Sequence, residues 1–175
     1  QDLSIDGTRL LYGVRQGGED EVTIRIFDVD AKKDLDDELP RARYYGAQLT
    51  RNNKAIYYTK QTDEGPRVYL HAAGSDVAGD REIFGKGYGT EKIIFASISE
   101  DGRHMLIHVL YGSAGNQTEM YYKNLAEDGP IVTAVKDIEA RFFGMMTGDR
   151  LCVHTNWNAP KWKVLAVDAA DLPTS

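Results

Sequence analysis

The sequence predicts an all-β chain, a fragment of a β-propeller with about four incomplete, four-stranded blades. One pattern occurs four times: a small polar residue, a turn pair and an apolar strand, with second turn residues at positions 7, 53, 102 and 149. The spacings of 46, 49 and 47 residues match one propeller blade. No stretch shows the 3.6-residue apolar period of a helix. A β-sandwich would explain the short strands but not four copies in register.

Each copy is predicted to begin with a tight hairpin. Its turn pairs are Asp-Gly, Asn-Asn, Asp-Gly and Gly-Asp, and such residues tolerate the positive φ that tight turns require. Aligned on the turns without gaps, the third residue after each turn is Leu10, Ile56, Met105 or Cys152. This column predicts that Cys152 is a packed strand residue and not a nucleophile.

Further strands follow each hairpin. Runs rich in β-branched and aromatic residues predict third strands at Thr23–Val29, Arg67–His71, Glu119–Leu125 and Lys163–Val167. More polar fourth strands are predicted at Glu82–Phe84 and Ile131–Val135. The blades would then cover residues 1–41, 42–88, 89–137 and 138–175, the first without its innermost strand and the last without its outermost. Closed propellers need about 4–8 blades, so we expect open blade edges that favour self-association.

Composition limits the class of protein. The 175 residues carry a net charge of −6, which argues against nucleic acid or an anionic membrane as the main partner. A single cysteine excludes an intrachain disulfide framework. No apolar run is long enough to span a bilayer, and the first residues do not form a signal peptide. A cytoplasmic and a periplasmic location both remain open.

Several segments resemble one enzyme family in the same order along the chain. Residues 17–24 (Gly-Gly-Glu-Asp-Glu-Val-Thr-Ile), 33–39 (Lys-Asp-Leu-Asp-Asp-Glu-Leu), 68–71 (Val-Tyr-Leu-His), 119–122 (Glu-Met-Tyr-Tyr) and 155–160 (Thr-Asn-Trp-Asn-Ala-Pro) are similar to motifs of the prolyl oligopeptidase propeller. The Val-Tyr-Leu-His segment is followed by Gly74-Ser75 and Asp80, which resembles the family's Val-Tyr-x-His-x-x-Gly-Thr run. The chain departs from the family motifs at Glu21, Asp36 and Asn158. An oligopeptidase B-like subfamily, which cleaves after basic residues, therefore stays open.

The resemblance implies a seven-bladed propeller joined to an α/β-hydrolase domain with a Ser, Asp, His triad. Such enzymes hydrolyse short peptides, often after proline, and the propeller restricts access to the active site. The hydrolase domain is expected as the partner of this chain and is absent from it. The resemblance also implies that Tyr44 and Phe84 line the substrate pocket. A free-standing propeller that binds a protein or peptide is the alternative function.

The residues themselves predict no catalysis, metal site or cofactor in this chain. The Gly-x-Ser-x-Gly motif of a hydrolase nucleophile does not occur. His104 and His108 lie on a predicted strand, where four residues span about 13 Å, too far for two ligands of one zinc ion. The acidic residues from Asp28 to Glu38 lack the glycine and glutamate of a calcium loop, so they predict a solvated loop. Residues 85–89 predict a glycine-rich connection between blades.

Overall fold

The computed structural model describes residues 2–18, 21–42 and 46–172, without the side chains of residues 41 and 42. The described residues form fifteen β-strands and two short 3-10 helices. They fall into two compact units, residues 1–90 and 91–175, each with two antiparallel sheets. No helix in these ranges is long and apolar enough to cross a membrane.

The first unit contains two four-stranded sheets. The first sheet has the order β1-β2-β3-β4 and the second β5-β6-β7-β8. Their strands are β1 Asp2–Leu3, β2 Arg9–Val14, β3 Val22–Asp28, β4 Lys33–Ala42, β5 Ala47–Leu49, β6 Ala55–Thr62, β7 Gly65–Ala72 and β8 Arg81–Phe84. A 3-10 helix at Val77–Gly79 lies between β7 and β8.

The second unit contains one four-stranded and one three-stranded sheet. The third sheet has the order β12-β11-β10-β9 and the fourth β13-β14-β15. Their strands are β9 Ile93–Ile98, β10 His104–Leu110, β11 Thr118–Asn124, β12 Ile131–Val135, β13 Phe142–Thr147, β14 Arg150–Thr155 and β15 Lys163–Asp168. A 3-10 helix at Ala169–Asp171 follows β15. The all-β propeller fragment predicted from the sequence is confirmed.

The repeated small polar residue has a structural reason. In the first three copies its hydroxyl accepts a hydrogen bond from the backbone N–H five residues later: Arg9 to Ser4, Ala55 to Thr50 and His104 to Ser99, at 2.9–3.0 Å. The first turn residue accepts a second N–H, and the second turn residue has positive φ. Side-chain bonds of this kind replace the backbone pairs that a four-residue hairpin loop leaves open.

The fourth hairpin is shorter, and here the gap-free alignment is wrong. Thr147 pairs with Arg150, so only Gly148 and Asp149 form the turn, and Gly148 has the positive φ. The strand columns therefore shift by one residue. Leu151, which is 2% exposed, takes the column of Leu10, Ile56 and Met105, while the half-buried Cys152 aligns with Leu11, Tyr57 and Leu106.

Each unit has its apolar core between its two sheets. In the first unit, Leu11, Ile24, Ile26 and Leu39 of the first sheet pack with Leu49, Ile56 and Tyr58 of the second. In the second unit, Leu106, Met120, Tyr122 and Val132 of the third sheet pack with Phe142, Met146, Leu151 and Val153 of the fourth. A Cβ atom on Gly144 would lie 3.0–3.2 Å from side-chain atoms of this core, which explains a small residue on β13.

Two expectations about the first sheet are wrong. It does have a short innermost strand, because Asp2 and Leu3 pair with β2. Asp34, Asp36, Asp37 and Glu38 lie in β4 and do not form a solvated loop. Side chains alternate along that strand, so Asp36 is exposed while Asp37 and Leu39 face the protein interior.

Candidate functional site

Phe84 lies at the end of β8, the strand at one edge of the second sheet. It pairs with Val68 of β7, which is fully buried. The Phe84 side chain is half-buried, and its ring centroid lies 5.8 Å from that of Tyr88 at an interplanar angle of 31°. Tyr44, the other predicted pocket residue, lies outside the described residues. The structure therefore gives the surroundings of one of the two residues.

Two glycines allow the chain after Phe84 to approach the β6–β7 turn. A Cβ atom on Gly65, at φ +133°, would lie 2.4 Å from the backbone oxygen of Tyr88. A Cβ atom on Gly85, at φ +113°, would lie 2.6 Å from the backbone oxygen of Pro66. Glycine is required at both positions because of the φ angle and the close approach. The glycine-rich connection of residues 85–89 is thus packed against the second sheet.

Arg67 also holds the connection of residues 85–89 against the second sheet. Its side chain is only 4% exposed, and its guanidinium donates to the backbone oxygens of Pro66 at 2.9 Å and Tyr88 at 3.0 Å. A further N–H donates to Glu64 at 3.3 Å. We call Phe84, Tyr88 and Arg67, with the two glycines, the Phe84 site. It offers aromatic surface for an apolar or ring-shaped group, and it contains no nucleophile or general base.

No described histidine is arranged for nucleophilic catalysis. His71 contacts only Asp37 and Asp80 through its ring nitrogens, His104 contacts Tyr122 and Asp149, and His108 accepts from the Gly144 N–H. His154 is exposed and stacks on Trp162. Within residues 2–18, 21–42 and 46–172, no histidine has a serine, threonine or cysteine side chain as its hydrogen-bond partner, which a hydrolytic triad requires.

The described residues contain no group of three or more His, Cys, Asp or Glu side chains placed to hold a metal ion. Two carboxylates of the acidic stretch from Asp28 to Glu38 instead contact protein side chains. Asp37 contacts a histidine across the two sheets, as described below. The Asp28 carboxylate forms an ion pair with Arg9 at 2.9 Å.

The role of His71 was not predicted from the sequence. His71 is fully buried and contacts Asp37 of β4 and Asp80, which directly precedes β8. The signal was present in the motif, since the histidine of Val-Tyr-Leu-His is followed nine residues later by an aspartate. The partner on β4 could not be read from the sequence, because it is 34 residues away.

The fold defines a class of protein, the blades of a β-propeller. The sequence profile described as "Prolyl oligopeptidase, N-terminal beta-propeller domain" matches residues 1–175. The chain belongs to this family.

Individual relatives agree with this assignment. The chain is 26% identical over 170 residues to a prolyl endopeptidase of Elizabethkingia miricola, covering 91% of this chain and 24% of that protein. A chain from a structural study of two prolyl endopeptidases has a TM-score of 0.87 at 22% identity, with 98% of this chain and 26% of that chain covered. Oligopeptidase B of Leishmania major has the same fold, with a TM-score of 0.79 at 13% identity over 97% of this chain and 25% of its own. The chain thus spans about a quarter of the length of these relatives.

Proposed function

We propose that this chain is the propeller portion of a prolyl oligopeptidase-like serine peptidase that hydrolyses short peptides, often after proline. The observation that carries the proposal is the family match over all 175 residues. The relatives named prolyl endopeptidase support the proline preference. Catalysis is supplied by an α/β-hydrolase domain of the parent chain, and the propeller limits substrate access.

The proposal is tested by comparing this polypeptide with its parent. The 175-residue chain alone is expected to leave a proline-containing chromogenic peptide intact. The parent protein is expected to hydrolyse it, and a serine-directed inhibitor should stop the reaction. Inhibitor-sensitive hydrolysis by the isolated chain would contradict the proposal, and so would a parent without peptidase activity. A matched peptide with arginine in place of proline tests the oligopeptidase B-like alternative.

We propose that Phe84 and Tyr44 contact the substrate in the parent enzyme. The half-buried ring of Phe84 beside Tyr88 is suited to an apolar side chain of a peptide. Phe84→Ala is expected to raise KM several-fold with little change in kcat, because it removes binding contacts and no reacting group. Phe27→Ala is the matched control, since Phe27 is also half-buried in the same unit. An equal rise in KM for both variants would indicate a general packing effect.

We propose that the isolated chain self-associates through β15. In the described part of the chain this strand pairs only with β14, and Val164 on it is 68% exposed. Unpaired edges with apolar side chains favour pairing with another chain. Light scattering should show dimers or larger species, and Val164→Lys should reduce them. A monomer at all concentrations would contradict this proposal.

A further inference from the structure

His71 is fully buried between carboxylates from two different segments. Its Nε2 atom lies 2.9 Å from an Asp37 oxygen on β4 of the first sheet. Its Nδ1 atom lies 2.7 Å from an Asp80 oxygen next to β8 of the second sheet. The side chains of Asp37 and Asp80 are 4% and 2% exposed. We call these three residues the buried ionic cluster.

The hydrogen-bond donors and acceptors around the His71 ring decide its protonation state. An ionised carboxylate only accepts hydrogen bonds, and a neutral imidazole has one N–H donor. A neutral His71 between two carboxylates would therefore place one ring lone pair against a carboxylate oxygen. Protonation at both nitrogens gives each contact a donor and leaves two carboxylates opposite one cation.

We propose that His71 is an imidazolium in the folded chain, and that the buried ionic cluster links β4 of the first sheet to the second sheet until the ring loses its proton. The link is an intersheet one, because β7 and β4 belong to different sheets. Charged hydrogen bonds with little solvent contact are stronger than neutral ones. Such a link specifies how the two sheets align along the apolar core that they share.

The other hydrogen bonds of the cluster agree with ionised carboxylates. The Asp37 oxygen that faces His71 also accepts the Gly74 N–H at 2.6 Å. The second oxygen of Asp80 accepts the Tyr58 hydroxyl at 2.7 Å. These hydrogen bonds to Asp37 and Asp80 all come from donors, which is the condition for burying charge at low cost.

The surrounding charged and titratable groups leave His71 as the group that changes charge near neutral pH. Burial and the bond to Asp80 raise the pKa of Tyr58 far above its ordinary value, and burial together with Glu82 raises the pKa of Tyr69. Arg9 and Asp36 line a cleft of about 410 Å³ that reaches Asp37 and Gly74. Burial lowers the pKa of His71, but the hydrogen bonds to Asp37 and Asp80 outweigh it, so that the pKa is raised.

The sign of the pH effect follows from this direction. A histidine in the unfolded chain titrates at about pH 6.5. Because the pKa of His71 is raised by folding, its contribution is complete below that pH and is lost as the pH rises through the folded-state pKa. The intersheet link is therefore expected to weaken in alkaline solution.

The cluster also bears on the proposed pocket, a consequence that rests on the proposed function. Asp37 lies on β4, the strand that precedes Tyr44 in the sequence, and Asp80 directly precedes the strand that carries Phe84. The cluster itself can be tested without any peptidase activity, so its failure is separable from failure of the proposed function.

The direct test is nitrogen-15 NMR of the histidine rings in the whole 175-residue chain. We expect both His71 nitrogens to be protonated at pH 7, and the ring to titrate at higher pH than in a synthetic peptide of residues 67–75. A neutral ring at pH 6, with the proton on an aspartate, would overturn the proposal. This measurement needs no variant that has to fold.

A second test compares two neighbouring aspartates. Asp37→Asn removes the charge that contacts His71, and Asp36→Asn removes an exposed charge one residue away. After correction for intrinsic rates, hydrogen exchange of the β4 amides is expected to rise about tenfold or more in D37N and less than about twofold in D36N. Equal effects of the two variants, or no effect of D37N, would overturn the intersheet role.

Discussion

His71 in the first unit and His108 in the second are both buried, but their surroundings are opposite. His71 contacts two carboxylates. His108 is 2% exposed and its ring stacks on Phe95 at a centroid distance of 4.8 Å, with Phe143 at 6.5 Å. Its Nε2 accepts the Gly144 N–H at 2.9 Å, and its buried Nδ1 has no hydrogen-bond partner. Burial lowers the pKa of His108 to about 4.

The difference shows that pairs of similar sheets can be joined by different kinds of interaction. Both histidines lie where two sheets of one unit meet, and each links a strand of one sheet to the other. At His71 the first unit adds buried charge beside its apolar core, while at His108 the second unit packs aromatic rings around a histidine that burial keeps neutral. A carboxylate placed near one ring and absent near the other decides the charge, since burial alone favours the neutral form.

The largest effect is expected from breaking the buried ionic cluster. Asp80→Asn removes the carboxylate that accepts from both His71 and Tyr58, so one of these two buried donors faces an amide N–H instead of a charged oxygen. We expect the free energy of unfolding of the first unit to fall by about 4 kcal/mol at pH 6, measured by hydrogen exchange of β6 and β7. Asp63→Asn, an exposed turn residue, is the control and should be nearly neutral. A loss below about 1 kcal/mol for D80N would remove the contrast between the two units.

A slightly smaller effect is expected from a cavity in the second unit. Leu106 is 1% exposed in the core between the third and fourth sheets. Leu106→Ala should lower the free energy of unfolding by about 3 kcal/mol. Both tryptophans, Trp157 and Trp162, lie in this unit, so denaturant unfolding followed by tryptophan fluorescence reports on it. Met145→Ala, at a position that is 65% exposed, should change it by less than about 0.5 kcal/mol.

The two histidines predict opposite responses to pH. The pKa of His108, lowered to about 4, means that its contribution is present above the unfolded value of ~6.5 and is lost as the pH falls. Between pH 7.5 and 5, the second unit should lose about 2 kcal/mol, followed by tryptophan fluorescence. Over the same range the contribution of His71 to the first unit should increase. His108→Gln should flatten the acid response, and an unchanged slope in that variant would assign it to other groups.

The smallest effect is expected from an exposed ion pair in the second unit. Asp149 lies 2.8 Å from Arg103 and 3.3 Å from His104, but its side chain is 70% exposed. Asp149→Asn should lower stability by less than about 1 kcal/mol, and less still in high salt. Chemical denaturation at two salt concentrations measures this. A loss as large as that of D80N would mean that both units depend equally on charge.

Much of the strand pattern could be predicted from the sequence. The third strands predicted near residues 23–29, 67–71, 119–125 and 163–167 are present as β3, β7, β11 and β15, and the predicted fourth strands as β8 and β12. These predictions rest on local features, turn residues and β-branched runs, which act over a few residues. The shortened turn at Gly148 and Asp149 was missed because a gap of two residues leaves the turn composition almost unchanged.

The site residues were harder to predict. Of the two pocket residues suggested by resemblance, Phe84 is found beside Tyr88 and its contact with substrate stays a prediction. The buried ionic cluster was not predicted, and the acidic residues of β4 were assigned to a loop. Charged residues alternate with apolar ones along β4, and only the opposite strand shows which aspartate is buried.

The sequence by itself determined the repeat, the strand-rich architecture and the family. Turn formation and side-chain alternation depend on residues that are close together in the sequence, so both can be recognised there. The tertiary structure decided the charge state and partners of the buried histidines. His71 contacts an aspartate 34 residues away, and His108 contacts the backbone of Gly144, 36 residues away. The free energy of a buried charge depends on which groups surround it in space, and the order of residues along a strand does not contain that information.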